Sequence, residues 1–179
     1  MTETGLPKSN PILEPILGID PGNVQSAYVL YNPATRTITE YGLVPNSDML
    51  KVLHNVQVTG GSWHMAIEMI ASYGMSVGAS VFETCVWIGR FIQQWTDAEF
   101  THKYRYVYRK DEKIHLCGSM KAKDGNIRQA IMDRYGSTRQ LAIGTKKTPG
   151  PLYGMHDDIW AAFAVAITAA ETAEEWRKQ

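Results

Sequence analysis

The sequence predicts an α/β fold: a mixed central sheet, three antiparallel strands followed by parallel ones, flanked by helices. Three observations predict it. Short apolar or alternating runs crowd the first 45 residues, with turn residues between them, as in hairpins. From Val77 the apolar spacing changes to three or four residues, the period of an amphipathic helix. Strand-like and helix-like segments then alternate to the end of the chain.

Residues 1–15 read as a flexible, Pro-containing lead-in without the charged and apolar regions of a signal peptide, and 16–179 as one domain. Residues 16–20, ILGID, form a short buried strand stopped by Pro21-Gly22. Residues 26–32 and 35–43 make the second and third strands, with Asn32-Pro33 turning between them. Ser47-Asp48 is placed to cap a short helix over 49–55. After Gly60-Gly61, residues 63–70, WHMAIEMI, read as a strand carrying Glu68 near its end. The amphipathic helix follows over 76–96, then an aromatic strand over 104–108. A helix over 124–135 stops at Gly136, residues 139–143 suit a short strand, and 145–154 form a turn-rich loop. The last helix is expected over about 157–177.

Net charge is zero, with 18 basic and 18 acidic residues, but the distribution is uneven. Residues 101–150 hold twelve Lys and Arg against four acids, a surplus of eight balanced by the rest of the chain. Such a block suits a polyanion-binding face; scattered solvated charge is the plainer account. No apolar run reaches the roughly 20 residues that span a bilayer. Cys85 and Cys117 make neither a disulfide framework nor a zinc pair, and read as small buried residues of a chain in a reducing cytoplasm.

Acids stand where core-building segments have little use for them. Asp20 ends a buried strand, Glu68 interrupts an apolar one, and Asp157 and Asp158 open a helix of Ala, Ile, Phe and Val. A buried unpaired carboxylate is costly, so each needs a reason. Capping explains Asp157 and Asp158, a turn explains Asp20, and a buried ion pair explains Glu68. One explanation covers all of them: carboxylates gathered at strand ends and a helix start to hold divalent cations, which prefer oxygen ligands. Two such ions can activate water and stabilise the leaving oxygen of a phosphodiester.

Gly18-Ile19-Asp20-Pro21-Gly22 before an apolar strand resembles the opening of RuvC-type Holliday junction resolvases, members of the ribonuclease H-like superfamily. Ala66-Ile67-Glu68 resembles their second acidic motif, and His156-Asp157-Asp158-Ile159-Trp160-Ala161-Ala162 their third. The likeness runs from about residue 16 to 170, and Cys117–Tyr135 looks most like the versions carried by bacteriophages. It implies a ribonuclease H-like fold and a Mg²⁺- or Mn²⁺-dependent endonuclease with two ions per site, resolving branched DNA as a homodimer in the cytoplasm of a bacterial or phage-infected cell. Asp20, Glu68 and Asp158 would be metal ligands, with Asp157 a rival to Asp158. The family spaces its last two ligands three apart, whereas Met155 lies three before Asp158 and Gly154 three before Asp157. The fourth ligand therefore stays open between Asp157 and His156, the latter also fitting a helix-start hydrogen bonder. Paired Asp also occur in terminase-type nucleases of the same superfamily.

Lys121 and Lys123 fall where the family approaches the scissile phosphate, Lys123 as a catalytic cation; simple phosphate contact is the alternative. Arg109, Lys110, Lys113, Arg128, Lys146 and Lys147 are candidate backbone binders. Tyr73 is placed to stack on an unpaired base with Met75 as a wedge beside it, unless it packs on its own domain. The 76–96 helix, with Val77, Val81, Cys85, Ile88 and Trp95, is a candidate dimer face or ordinary core. Two other functions stand beside the resolvase: a ribonuclease H-like nuclease for hybrids, flaps or packaging-type cleavage, and a non-catalytic nucleic-acid-binding module.

Overall fold

The computed structural model describes residues 13–72, 74, 76–97 and 103–172. Tyr73 and Met75 lie outside them. Five strands form one sheet: β1 (Ile16–Asp20), β2 (Gln25–Asn32), β3 (Thr37–Pro45), β4 (His64–Met69) and β5 (Lys103–Tyr108), in the order β3-β2-β1-β4-β5. The first three pair antiparallel, while β4 and β5 run parallel to β1, as the sequence predicts. The helices are α1 (Asn46–Val58), α2 (Ala79–Thr96), α3 (Arg109–Cys117), α4 (Asp124–Tyr135), α5 (Arg139–Ala142) and α6 (Ile159–Glu171).

Strand side chains alternate between two faces, and each face has its own core. Leu17, Ile19, Met65 and Ile67 point to the side covered by α1 and α2, where they meet Met49, Leu53, Ile88, Phe91 and Trp95. Ile16, Ala27, Val29, Ala66 and Val107 point to the other side, covered by α3, α4 and α6. Helix α6 is buried along nearly its whole length. It lies so close to β1 that a Cβ on Gly18 would sit 2.5 Å from the Ala162 carbonyl oxygen and 2.7 Å from the Ala166 Cβ. Buried Arg105 donates to the Ala169 and Thr172 carbonyls, both at 3.2 Å, and so serves the C-terminal end of α6.

Several expectations need correction. Residues 139–143 are helical rather than a strand: the Thr138 hydroxyl accepts from the Leu141 amide and starts α5. Helix α3 was not predicted, because RKDEKIHLC is polar nearly all round and buries only Glu112 and Leu116. Helix α1 is longer than 49–55 and begins at Asn46. Asn46 is itself tied to Ser26 Oγ at 2.6 Å and the Gly22 carbonyl at 2.9 Å, which pins the turn after Asp20. Helix α2 starts at Ala79 instead of 76, and α6 at Ile159, just after the two aspartates. Both cysteines are half-buried rather than buried. Ile88 and Trp95 are core residues and cannot form a dimer face; the exposed apolar residues of α2 are Phe82 and Val86, each 62% exposed. Arg105, one of the twelve basic residues of the 101–150 block, is buried and adds nothing to a basic surface.

The segment before α6 is also fixed. Tyr41 on β3 donates its hydroxyl to the Tyr153 carbonyl at 2.8 Å. Gly154 has φ +85°, and a Cβ there would stand 2.5 Å from the Tyr41 hydroxyl. Among the described residues no helix is long and apolar enough to cross a membrane.

Gly18→Ala places a methyl against main chain that has no room to yield, which costs roughly 1–3 kcal/mol. Urea unfolding is expected to show a lower midpoint with an unchanged slope; an unaltered midpoint would contradict the tight contact between α6 and β1.

Candidate active site

The parallel pairing of β1 with β4 aligns Ile19 with Ile67, so the next residues, Asp20 and Glu68, end neighbouring strands on the same side of the sheet. Their side chains are half-buried and within hydrogen-bonding reach of each other. Asp158 immediately precedes α6 and makes no capping hydrogen bond; its charge acts on both Asp20 and Glu68. A cavity of about 370 Å³ opens over these groups, lined also by Arg109, Asp124, Arg128, Asp157 and Trp160.

Asp157 stands at the rim in a left-handed conformation, φ +41°, with its Oδ2 2.9 Å from Nδ1 of the exposed His156. His156 does not line the cavity. Arg128 reaches the cavity with its guanidinium over the Trp160 ring, 5.3 Å from the centroid. Lys121, Lys123, Lys146 and Lys147 are exposed and outside the cavity lining, the last two on a turn closed by Thr145 and Thr148. Lys110 is exposed beside the Tyr108 ring, and Lys113 is half-buried on α3.

Two acids missed in the sequence complete the arrangement. Glu112 on α3 is fully buried; its Oε2 lies 2.6 Å from Arg109 Nη1, and its Oε1 has no hydrogen-bond partner. Asp124, the first residue of α4, lies 2.5 Å from Arg109 Nη2. The spacing of Arg109 and Glu112, three apart, was the available signal, since such pairs meet on one helix face.

Crowded, desolvated carboxylates resist ionisation. Burial, then the charges of Glu68 and Asp158, pushes Asp20 from its ordinary 3.8 up to about 8. Burial raises Glu68 too, against the opposing pull of Arg109. Burial and the charge of Glu68 raise Glu112 as well, against the Arg109 guanidinium, whose contact at 2.6 Å favours its charged form. Arg109 is held charged, since Glu112, Asp124 and Glu68 together outweigh the effect of its own burial.

Among the described residues no three His, Cys, Asp or Glu side chains are set to hold one ion as they stand. The donor chemistry nonetheless fits a hard divalent cation: Asp20, Glu68 and Asp158 offer only oxygen, and their mutual repulsion is what a cation relieves.

No family model matches the sequence, and no curated protein matches it by sequence comparison. Solved structures do match in fold. The Thermus thermophilus RuvC structure superposes with a TM-score of 0.55 at 16% identity, covering 86% of this chain and 92% of that one. Thermus thermophilus RuvC in complex with a Holliday junction substrate gives 0.58 at 14% identity, covering 87% and 91%. The fold is thus that of RuvC, a mixed α/β sheet of the ribonuclease H-like type, in line with the resemblance of the three acidic motifs.

Asp20, Glu68 and Glu112 all bind protons more tightly here than in an unfolded chain. Their contribution to stability is therefore complete at acid pH and is lost as pH rises through the raised values. The depressed carboxyl of Glu171, paired with Arg134 and His115, acts oppositely, but below its ordinary range. In EDTA the urea midpoint is expected to fall between pH 5 and about 8, and Asp20→Asn to flatten that fall. A midpoint that rises over this interval would contradict the crowding.

Proposed function

We propose that this chain is a divalent-metal-dependent endonuclease that cuts phosphodiesters in branched DNA, with four-way junctions as the preferred class. The observation that carries the reading is the joining of Asp20 and Glu68 at adjacent parallel strand ends, with Asp158 in electrostatic reach, on a RuvC fold. The neighbouring structure with a junction bound supports DNA of that shape as the substrate.

Asp20, Glu68 and Asp158 would hold the metal, and Asp157, oriented by His156, is the candidate fourth ligand. Mg²⁺ or Mn²⁺, two ions in this reading, would supply an activated water and neutralise charge on the phosphate. Asp20 gives up its proton when the site is loaded, so loading is favoured as pH rises. Arg109 and Arg128 set positive charge in the cavity wall, where they offset that of an entering phosphate. Lys121 and Lys123, just before α4, and Lys146 and Lys147, on their turn, reach for backbone farther from the cut.

Symmetric cutting of a four-way junction needs two sites, which makes a homodimer part of the proposal. The exposed Phe82 and Val86 on α2 give it an apolar face. A cytoplasmic location is part of the same reading.

Incubation with a synthetic four-way junction, a flap, an RNA–DNA hybrid and a linear duplex tests the proposal. Cleavage is expected in Mg²⁺ or Mn²⁺ but not in EDTA, with the junction preferred. Asp20→Asn and Glu68→Gln are expected to lower the rate at least about 100-fold while still binding the junction. Preference for the hybrid or flap would move the reading to another substrate; junction binding without cutting at any metal concentration would make the chain a binding module.

A further inference from the structure

Arg109 ends the β5 side of the site. It follows Tyr108, which pairs with Met69, the residue after Glu68, and it lines the same cavity as Asp20, Glu68 and Asp158. Its guanidinium is gripped from two sides by two different carboxylates. Nη1 meets Glu112 Oε2 at 2.6 Å, and Nη2 meets Asp124 Oδ1 at 2.5 Å. Glu112 is 0% exposed, whereas Asp124 is 83% exposed.

That contrast separates the two contacts. The inner one is fixed: Glu112 has no other partner for Oε1, and removing Arg109 would strand a buried carboxylate. The outer one is exchangeable, because an ion pair with one partner in water contributes little. A guanidinium fork fits a phosphate oxygen as well as a carboxylate oxygen. The exchange replaces one anion by another, so Arg109 keeps its number of partners. We infer that Arg109 binds the phosphodiester at the reacting end of the cavity, held in aim by Glu112 as a positioning residue, while Asp124 occupies the phosphate's place until DNA displaces it. A lysine would not serve, since it lacks the fixed fork that faces the interior and the cavity together. The inference rests on the endonuclease reading for its substrate, but concerns binding rather than cutting.

The test is binding of a fluorescent synthetic four-way junction, followed by anisotropy in Ca²⁺ across a salt series, with strand integrity checked on a gel. Arg109→Gln is expected to weaken binding about tenfold and to reduce the salt slope by about one. Asp124→Asn is expected to tighten binding about threefold, by removing the competing anion. Glu112→Gln is expected to weaken binding in the wild-type background and to add nothing in the Arg109→Gln background, a dependence that a merely structural role would not show. Should Glu112→Gln not fold, the opposite signs at positions 109 and 124 decide the matter. Weaker binding in Asp124→Asn, or unchanged binding and salt slope in Arg109→Gln, overturns the inference. Wild-type protein that binds but never cuts defeats the nuclease reading without touching this one; a cutting wild type with a normally binding Arg109→Gln does the reverse.

Discussion

Two carboxylates are forced together by the parallel pairing of β1 and β4, and the surroundings of the site answer that repulsion. The backbones that carry Asp20 and Glu68 cannot separate without breaking the register of the central strands. Gly18 lets the α6 backbone approach β1, and so Asp158 adds a third negative charge from the start of that helix. Arg109, supplied by the end of β5, is the opposing charge, and it is set in place by Glu112 and Asp124. A site of this kind is stable in two conditions: partly protonated, or occupied by cations.

The acids that interrupt apolar segments were legible because such interruptions have few bland causes. Asp20 and Glu68 stand out within ILGID and MAIEMI, and the succession of strands and helices along the chain followed from turn spacing and a change of period. Glu112 was hidden for the opposite reason. It sits in RKDEKIHLC, where charged neighbours make any acid look solvated, and only the partner surfaces decide that this one turns inward. Asp124 was hidden likewise, because a helix-opening aspartate needs no further explanation. Arg105 shows the same ambiguity from the basic side, since it belongs to the basic block by sequence but closes the end of α6.

In the proposed nuclease the lysines and the arginines would meet the polyanion differently. Arg109 and Arg128 line the cavity, one gripped by carboxylates and the other lying over Trp160, so their charges are aimed. Lys121, Lys123, Lys146 and Lys147 are exposed outside it, where a flexible ammonium follows a polyanion without fixing its register. In the proposed function, placement and capture then fall to different residues, although the sequence places them in one basic block.

The Tyr41 hydroxyl bond to the Tyr153 carbonyl joins the outermost antiparallel strand to the chain that delivers Asp157 and Asp158. Gly154 allows no side chain between them. The sheet's edge therefore works as a rigid strut for the acidic end, and its tolerance to exchange is set by reach and not by exposure. A shorter side chain at position 41, harmless by the usual standards of a partly exposed strand, releases the loop four residues ahead of Asp157 and blurs the position of both aspartates without altering a single acid.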